Sequence, residues 1–459
     1  MNYKPHNYQA YCIQRIVDDP AIGLFLRPGL GKTSITLSAI NILKYFRWSI
    51  SKALVVAPKK VAEGTWSKEA GKWDHLKHLR VVTVLGSATK RIKALNTPAD
   101  VYVINRENIP WLVDHYKQAW PFDMVVLDES TSFKNGRSKR FKALKLVRRF
   151  MKKVVLLTGT PSSKGLEDLW AQIYLLDEGA RLGKTITQYR QMYFDCNTHG
   201  GHFTEYKAKD GAEAAVLNAI SDICISMKAE DYLELPACVE HEIPVVLDDK
   251  AQKAYTQFER DLLLEVDEDV ITANTAGVLT GKLLQFCSGA IYDNDRKVIH
   301  LHDCKIDAYM ELLEQLNGEH CITFYGFQHD KDRILETLAK TKLRVRVYKD
   351  TKDEDAWNAG EIDVLLVHPA SCAYGLNLQA GGRHIIWFTP NWSFELNDQG
   401  KCRLWRQGST YDKVFVHYLI VQGCVDEDVL KAVQDRESTH ENVMAVLKAR
   451  IKKVKEAAI

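Results

Sequence analysis

Two short stretches carry the clearest chemistry in this chain. The first is LRPGLGKT (26–33). A phosphate-binding loop of the form GxxxxGK[ST] has glycine where Leu26 stands, so the stretch keeps Gly31-Lys32-Thr33 and lacks the first glycine. Gly29 and Gly31, on either side of Leu30, permit a tight bend. Lys32 can reach the β- and γ-phosphates of a nucleotide, and the Thr33 hydroxyl can ligate Mg²⁺. GLFL (23–26) before it reads as a strand end and SITLSAINILKYF (34–46) after it as a helix. The loop then sits at a helix N-terminus, where unpaired N–H groups and the helix dipole favour phosphate. An ordinary turn before a helix shares this pattern, so a second part is required. MVVLDEST (124–131) supplies it: an apolar strand delivers two carboxylates to the C-terminal edge of a parallel sheet, where such folds bind ligands. Asp128 would hold the Mg²⁺ hydration shell, and Glu129 would orient and deprotonate an attacking water.

The elements that must position these groups alternate along the chain. Near-continuous apolar runs at 53–58, 101–105, 124–129, 154–161, 321–325, 364–369 and 384–388 are separated by helix-length segments. That pattern predicts parallel sheets covered on both faces. The runs fall into two clusters, before 178 and after 320, so the expected fold class is α/β, with two doubly wound parallel-sheet lobes and a helical insertion between them. A length of 459 residues suits two or three packed units. The 62 basic and 59 acidic residues leave a net charge of +3, so any case for a nucleic-acid partner rests on where the charges lie. Ten scattered cysteines without a CxxC pair fit a reducing compartment. No apolar run reaches the length of a membrane span, and MNYKPHNYQAYC lacks the hydrophobic stretch of a signal peptide. The expectation is a soluble cytoplasmic protein.

Further motifs fall in a recognisable order. NYQ (7–9), PGLGKT (28–33), VVAPKKVAEGTWSKEAGKW (55–73), FDMVVLDESTSFKN (122–135), LLTGTPSSKGLEDLW (156–170), LELPACVEHEIPVVLDDKAQKAY (233–255), AYGLNLQAG (373–381) and QGKCRLWRQG (399–408) span nearly the whole chain. Together they resemble the superfamily-2 helicase core, and within it the Swi/Snf-type ATP-dependent DNA translocases. Pro58, Trp66, Glu69 and Trp73 match one of that group's motifs, and Lys134-Asn135 another. The resemblance implies a RecA-like ATP-binding lobe over 1–178, a helical insertion and inter-lobe linker over 179–300, and a RecA-like helicase lobe over 301–459. It implies ATP and Mg²⁺ as cofactors, with Gln9 reading the adenine edge and Gly375 and Gln399 joining Gly29, Leu30, Gly31, Lys32 and Thr33 around the nucleotide. Arg403 and Arg406, spaced i, i+3, would project from one helix face and meet the γ-phosphate charge when the lobes close over ATP. In the family, strand ends carrying Lys59, Lys60, Arg106, Ser371 and Trp392 face nucleic acid. The expected partner is DNA, duplex favoured over single-stranded, alongside replication, recombination or repair proteins. A monomeric, stand-alone form of the kind found in bacteria and their viruses is implied, in the host cytoplasm if viral.

Departures from the family pattern touch coupling. Ser130-Thr131 replaces the usual Ala-His after the two carboxylates, removing a histidine that helps link ATP state to motion. Lys164 stands for an asparagine and Ser409 for a glutamine. The stretch KNGRSKRFKALKLVRRFMKK (134–153) holds ten Lys or Arg and no acid. With Phe141, Leu144, Val147 and Phe150 at helical spacing, it predicts a helix with a cationic outer face. A solvated face, an acidic partner and a phosphate backbone all suit such a run. The last would engage Lys134, Arg137, Lys139 and Arg140 with little base specificity. Cys196, His199 and His202 have metal-like spacing, but a structural zinc site needs four ligands, and HGG between aromatic residues reads better as a hairpin turn. The reading is an ATP-driven DNA motor. Its rivals are a strand-separating helicase and an ATP-gated DNA-binding module with little turnover.

Overall fold

The computed structural model describes residues 1–159, 161–162, 165–199, 203–227, 236–264, 273–372, 376, 378–406, 409–434 and 450. The chain divides into two units, Met1–Leu233 and Glu234–Ile459.

The first unit is built on strands β1 (Ala21–Leu26), β2 (Ala53–Ala57), β3 (Val81–Val84), β4 (Val101–Asn105), β5 (Met124–Asp128) and β6 (Lys153–Thr158). A hairpin, β7 (Phe194–His199) and β8 (Phe203–Ala208), precedes the last strand, β9 (Cys224–Met227). Seven of these form one sheet in the order β3-β4-β2-β5-β6-β1-β9, with every neighbouring pair parallel. Helices cover both faces, so every residue of β2, β4, β5 and β6 is buried, and the strands are apolar without alternation except at their ends, where Asn105, Asp128, Lys153 and Thr158 lie. The helices used below are α1 (Asn7–Asp18), α2 (Lys32–Asn41), α3 (Lys59–Lys72), α4 (Ala88–Asn96), α5 (Ile109–Tyr116), α6 (Lys139–Val147) and α7 (Asp168–Asp177).

Register fixes the site. β6 lies between β5 and β1, pairing Leu157 with Asp128 on one side and with Leu24 on the other. The ends of β1 and β5 therefore stand two strand spacings apart, about 10 Å, with the end of β6 between them. All strands run the same way, so the loops after β1, β2, β4, β5 and β6 share one edge.

The second unit carries β10 (Ala237–Val245), β11 (Ala290–Tyr292), β12 (Val298–His300), β13 (Cys321–Phe324), β14 (Val345–Val347), β15 (Val364–Val367), β16 (His384–Trp387) and β17 (Lys413–Val421). Six of them form a second all-parallel sheet, β10-β17-β16-β13-β15-β14, with apolar clusters on its two faces. β7–β8 and β11–β12 each keep to a two-stranded antiparallel sheet. The stretch 179–300, expected as a helical insertion and linker, is shared between the units. Its first part gives the hairpin, helix Ala212–Ile220 and β9 to the first unit, and the rest opens the second with β10 and helices Asp249–Leu264 and Ala273–Cys287. Among the described residues, no helix is long and apolar enough to cross a membrane.

Candidate nucleotide site and its surroundings

The loop after β1 owes its shape to its glycines. Gly29 and Gly31 have φ of 93° and 76°, a left-handed region that other residues enter at a cost. Gly31 caps α2, and a Cβ there would stand 2.6 Å from the Gln9 carboxamide nitrogen. Leu26 ends β1 fully buried and Leu30 is also fully buried, so the leucine in place of a first glycine closes the strand while Gly29 makes the bend. Lys32 curls back over the loop and donates from Nζ to the Leu26 carbonyl at 2.7 Å. Thr33, the second residue of α2, is partly exposed beside it.

Across the edge, Asp128 ends β5 in a buried position and Glu129 follows, partly exposed, with a left-handed φ of 52°. That strained turn re-aims the backbone directly after the carboxylate pair. Burial, reinforced by the Glu129 charge, pushes the Asp128 carboxyl up to about 6, while Lys32 and a hydrogen bond from Trp66 pull it down. The Trp66 indole N–H on α3 donates to Asp128 Oδ2 at 3.1 Å, a contact between residues 62 apart that sequence spacing did not reveal. The loop glycines, a lysine, a helix N-terminus and two carboxylates make a donor set suited to a Mg²⁺-bound triphosphate.

Gln9 sits against this loop from α1. Its Oε1 accepts from the His6 amide at 3.0 Å, and its Nε2 donates to the Leu30 carbonyl at 3.5 Å. The Tyr8 hydroxyl donates to the same carbonyl at 3.3 Å. Gln9 and Tyr8 thus both meet the backbone of the loop after β1 at Leu30.

In the second unit, the helix carrying Gln399 runs over Phe394–Lys401 and stops before either arginine. Arg403 and Arg406 therefore lie in successive turns, not on one helix face. Arg403 is buried, donating from Nε to the Gln399 carbonyl at 2.7 Å and from Nη1 to the Leu376 carbonyl at 3.1 Å. Leu404 is fully buried and Trp405 donates its indole N–H to the Pro236 carbonyl at 2.8 Å, which anchors the turn. Arg406 is partly exposed. Gln399 is buried, with its amide donating to Glu395 Oε1 at 3.2 Å. Gly375, Gly408 and Lys164 lie outside the described residues.

The cationic run divides by role. Phe141, Leu144 and Val147 do turn α6 inward. Arg148, however, donates to the carbonyls of Leu175 and Leu176, both at 2.6 Å, closing the end of α7. Lys153 is buried and donates to the carbonyls of Ile16, Val17 and Asp19, closing the end of α1. Lys134 pairs with Asp168 at 2.9 Å and Lys152 with Asp123 at 2.8 Å. Arg140 lies half-buried over the Phe133 ring, burial drawing its guanidinium below its usual range. Arg137 and Lys139 are exposed. Lys59 and Lys60 begin α3 at the shared edge, and Arg106 follows β4 there, paired with Glu107 at 2.9 Å. Ser371 closes a turn on the His368 carbonyl, and Trp392 packs partly buried against the second core, its indole N–H buried without a protein acceptor among the described residues.

Cys196 lies exposed on β7, and His199 pairs across the hairpin with Phe203. His202 lies outside the described residues, among which no group of three metal-binding side chains occurs.

Comparison with known proteins places this edge in context. Residues 22–287 match the sequence profile of the SNF2-related domain. Protein p41 of Acyrthosiphon pisum secondary endosymbiont phage 1 is 34% identical over 459 residues, covering 97% of this chain and 99% of that protein. The human DNA annealing helicase and endonuclease ZRANB3 is 25% identical over 87% of this chain, which spans 36% of that protein. Among solved structures, the helicase domain of Hef from Pyrococcus furiosus superposes with a TM-score of 0.55 at 16% identity, covering 94% of this chain and 98% of that one, a likeness of fold.

Proposed function

The chain belongs to the SNF2-related family, and from that premise we propose that it is an ATP-hydrolysing motor that moves along DNA, duplex for preference, with little sequence specificity. The observation that carries the reading is the pairing of the Gly31-Lys32-Thr33 loop after β1 with Asp128-Glu129 after β5, across the end of β6. Lys32 and the loop amides would hold the β- and γ-phosphates, and Thr33 and Asp128 the Mg²⁺, which when bound neutralises charge on the phosphoryl oxygens. Glu129 orients the attacking water and takes its proton. Gln9 is assigned to read the adenine edge, with Tyr8 bracing the loop at the Leu30 carbonyl.

Arg406 is assigned the charge that develops on the γ-phosphate, a contribution of about 10³ to 10⁵ in rate. Arg403, tied to two backbone carbonyls, is assigned to shaping that turn. Gly375 and Gln399 are assigned to nucleotide binding on the family resemblance alone.

Support for DNA comes from relatives, a DNA annealing helicase and a RAD54-like DNA repair and recombination protein of Drosophila persimilis. It also comes from cations on one sheet edge. Lys59, Lys60, Arg106, Arg137, Lys139 and Arg140 are assigned to the phosphate backbone, with Ser371 and Trp392 from the second unit. Lys134, held by Asp168, is assigned a supporting role. Strand separation draws support from the β7–β8 hairpin, which pairs with neither large sheet. Displacement of a triplex-forming strand from duplex DNA, run beside unwinding of a forked duplex, tests the two readings. Triplex displacement without unwinding is expected; unwinding alone would replace the duplex-motor reading with the strand-separating one.

A further inference from the structure

The turn after the carboxylate pair is fastened to α7 by three side-chain contacts. Ser130, fully buried, donates its hydroxyl to Gln172 Oε1 at 2.8 Å. Lys134 pairs with Asp168 at the start of α7. Gly136 lies so close to Trp170 that a Cβ there would stand 2.7 Å from the indole ring. Gln172 is itself fully buried, on a helix whose Leu169, Ala171, Ile173 and Leu176 are buried too. An amide buried among apolar groups costs stability unless each end finds a partner. Gln172 has them: Oε1 accepts from Ser130, and Nε2 donates to the Pro161 carbonyl at 2.7 Å and the Asp168 carbonyl at 2.9 Å.

Pro161 belongs to the loop after β6. The neighbouring Gly159 packs on the phosphate loop, where a Cβ would meet Pro28 at 3.1 Å. One glutamine therefore joins the residue beside Glu129 to the loop resting on the nucleotide-binding turn. An apolar pair of similar size could fill the same space without joining anything.

We propose that Ser130 and Gln172 are positioning residues that couple polymer binding to ATP turnover, by tying the Asp128-Glu129 turn to Pro161 after β6. The inference rests on the motor reading above. Polymer held at the shared edge shifts the segment running from Lys134 into α6, and α7 passes that shift through Gln172 to the turn that aims Glu129. Neither residue touches the nucleotide in this scheme, so its loss acts on the response to polymer and not on ATP binding.

The test uses the full chain with Ser130→Ala, Gln172→Leu and the double variant S130A/Q172L, which removes both polar side chains together, so that neither is left buried without the other and only the Pro161 and Asp168 carbonyls lose a donor. Turnover is measured against ATP concentration with and without saturating duplex DNA. The double variant is expected to melt within a few degrees of the wild type, to keep its basal rate within about threefold and its KM for ATP, and to lose about tenfold in DNA-stimulated kcat, within the range of ordinary coupling between sites. A double variant that keeps the full stimulation overturns the proposal and reduces the pair to packing. Loss of basal and stimulated rates in equal proportion also overturns it, placing the pair in the hydrolytic step. If the wild type itself shows no stimulation by any polymer, the motor reading fails, and the link with it.

Discussion

Asp128 and Trp66 give the sharpest handle on the nucleotide site. The Asp128 carboxyl titrates near 6, raised chiefly by burial and held from rising further partly by the indole hydrogen bond. A carboxyl whose midpoint lies above its unfolded value favours the protonated form in the fold, so ionisation as pH rises through about 6 costs stability, which a bound cation recovers. Trp66→Phe removes the indole donor and keeps an aromatic ring in the pocket. A hydrogen bond to a charged acceptor is worth about 1.5 to 3 kcal/mol, and 1.36 kcal/mol corresponds to a tenfold change in ionisation. The lower figure moves the Asp128 midpoint from about 6 to about 7. At pH 6.5 the ionised fraction then falls from roughly three quarters to roughly one quarter, a threefold loss of apparent affinity for the Mg²⁺-nucleotide; at pH 8 the two proteins converge. The assay is equilibrium binding of a fluorescent, non-hydrolysable ATP analogue with Mg²⁺ between pH 5.5 and 8. The nucleotide's own phosphate titrates in this window, but it does so identically for both proteins, so the ratio of their affinities isolates Asp128. A ratio that stays constant across the range refutes the role given to the indole and, with it, the titration given to Asp128.

Other perturbations separate roles. Arg406→Ala is expected to fold and bind nucleotide normally and to lose at least about 10³ in turnover, the typical worth of an arginine finger; a loss of only a few-fold removes that role. Arg403→Ala should instead lower the melting point, because two buried carbonyls lose their donor at about 1 to 3 kcal/mol each; an unchanged melt refutes the structural assignment. Lys305 and Asp426 form an ion pair with both side chains fully buried. Lys305→Met alone should cost about 3 to 5 kcal/mol in urea unfolding, and the double variant K305M/D426L much less; equal costs would show that the lone buried charge is not the cause.

The parts of the fold that sequence reveals are those buried on both faces. ALVVA, VYVIN and MVVLD are near-continuous apolar runs too short for a helix of ordinary length, and all three became interior strands. β10, by contrast, is an edge strand whose ACVEHEIPV carries Glu240 and Glu242 at exposed positions, so its pattern is that of a solvated segment. β9, at four residues, offers too little pattern to read. The glycine bend at Gly29 and Gly31 and the carboxylate pair at the end of β5 were legible because each is a short local pattern. The contacts that tune them were not: Trp66 stands out as a motif residue, but its bond to Asp128 spans 62 positions, and Gln172 reaches Ser130 across 42, distances that only the folded chain closes. Charge alone also misled. Lys153 and Arg148 look like members of a basic surface but close helix ends from inside, and Lys134 is held by Asp168.

The most direct test of the motor reading is steady-state ATP hydrolysis by the full chain with duplex DNA, single-stranded DNA, RNA or no polymer, at low and moderate salt, beside Glu129→Gln. Duplex DNA is expected to stimulate turnover most, the stimulation to fall steeply as salt rises, and the variant to bind ATP while losing at least about 10² in rate. Hydrolysis indifferent to every polymer, stimulation by RNA alone, or a Glu129→Gln protein as active as the wild type would contradict the account.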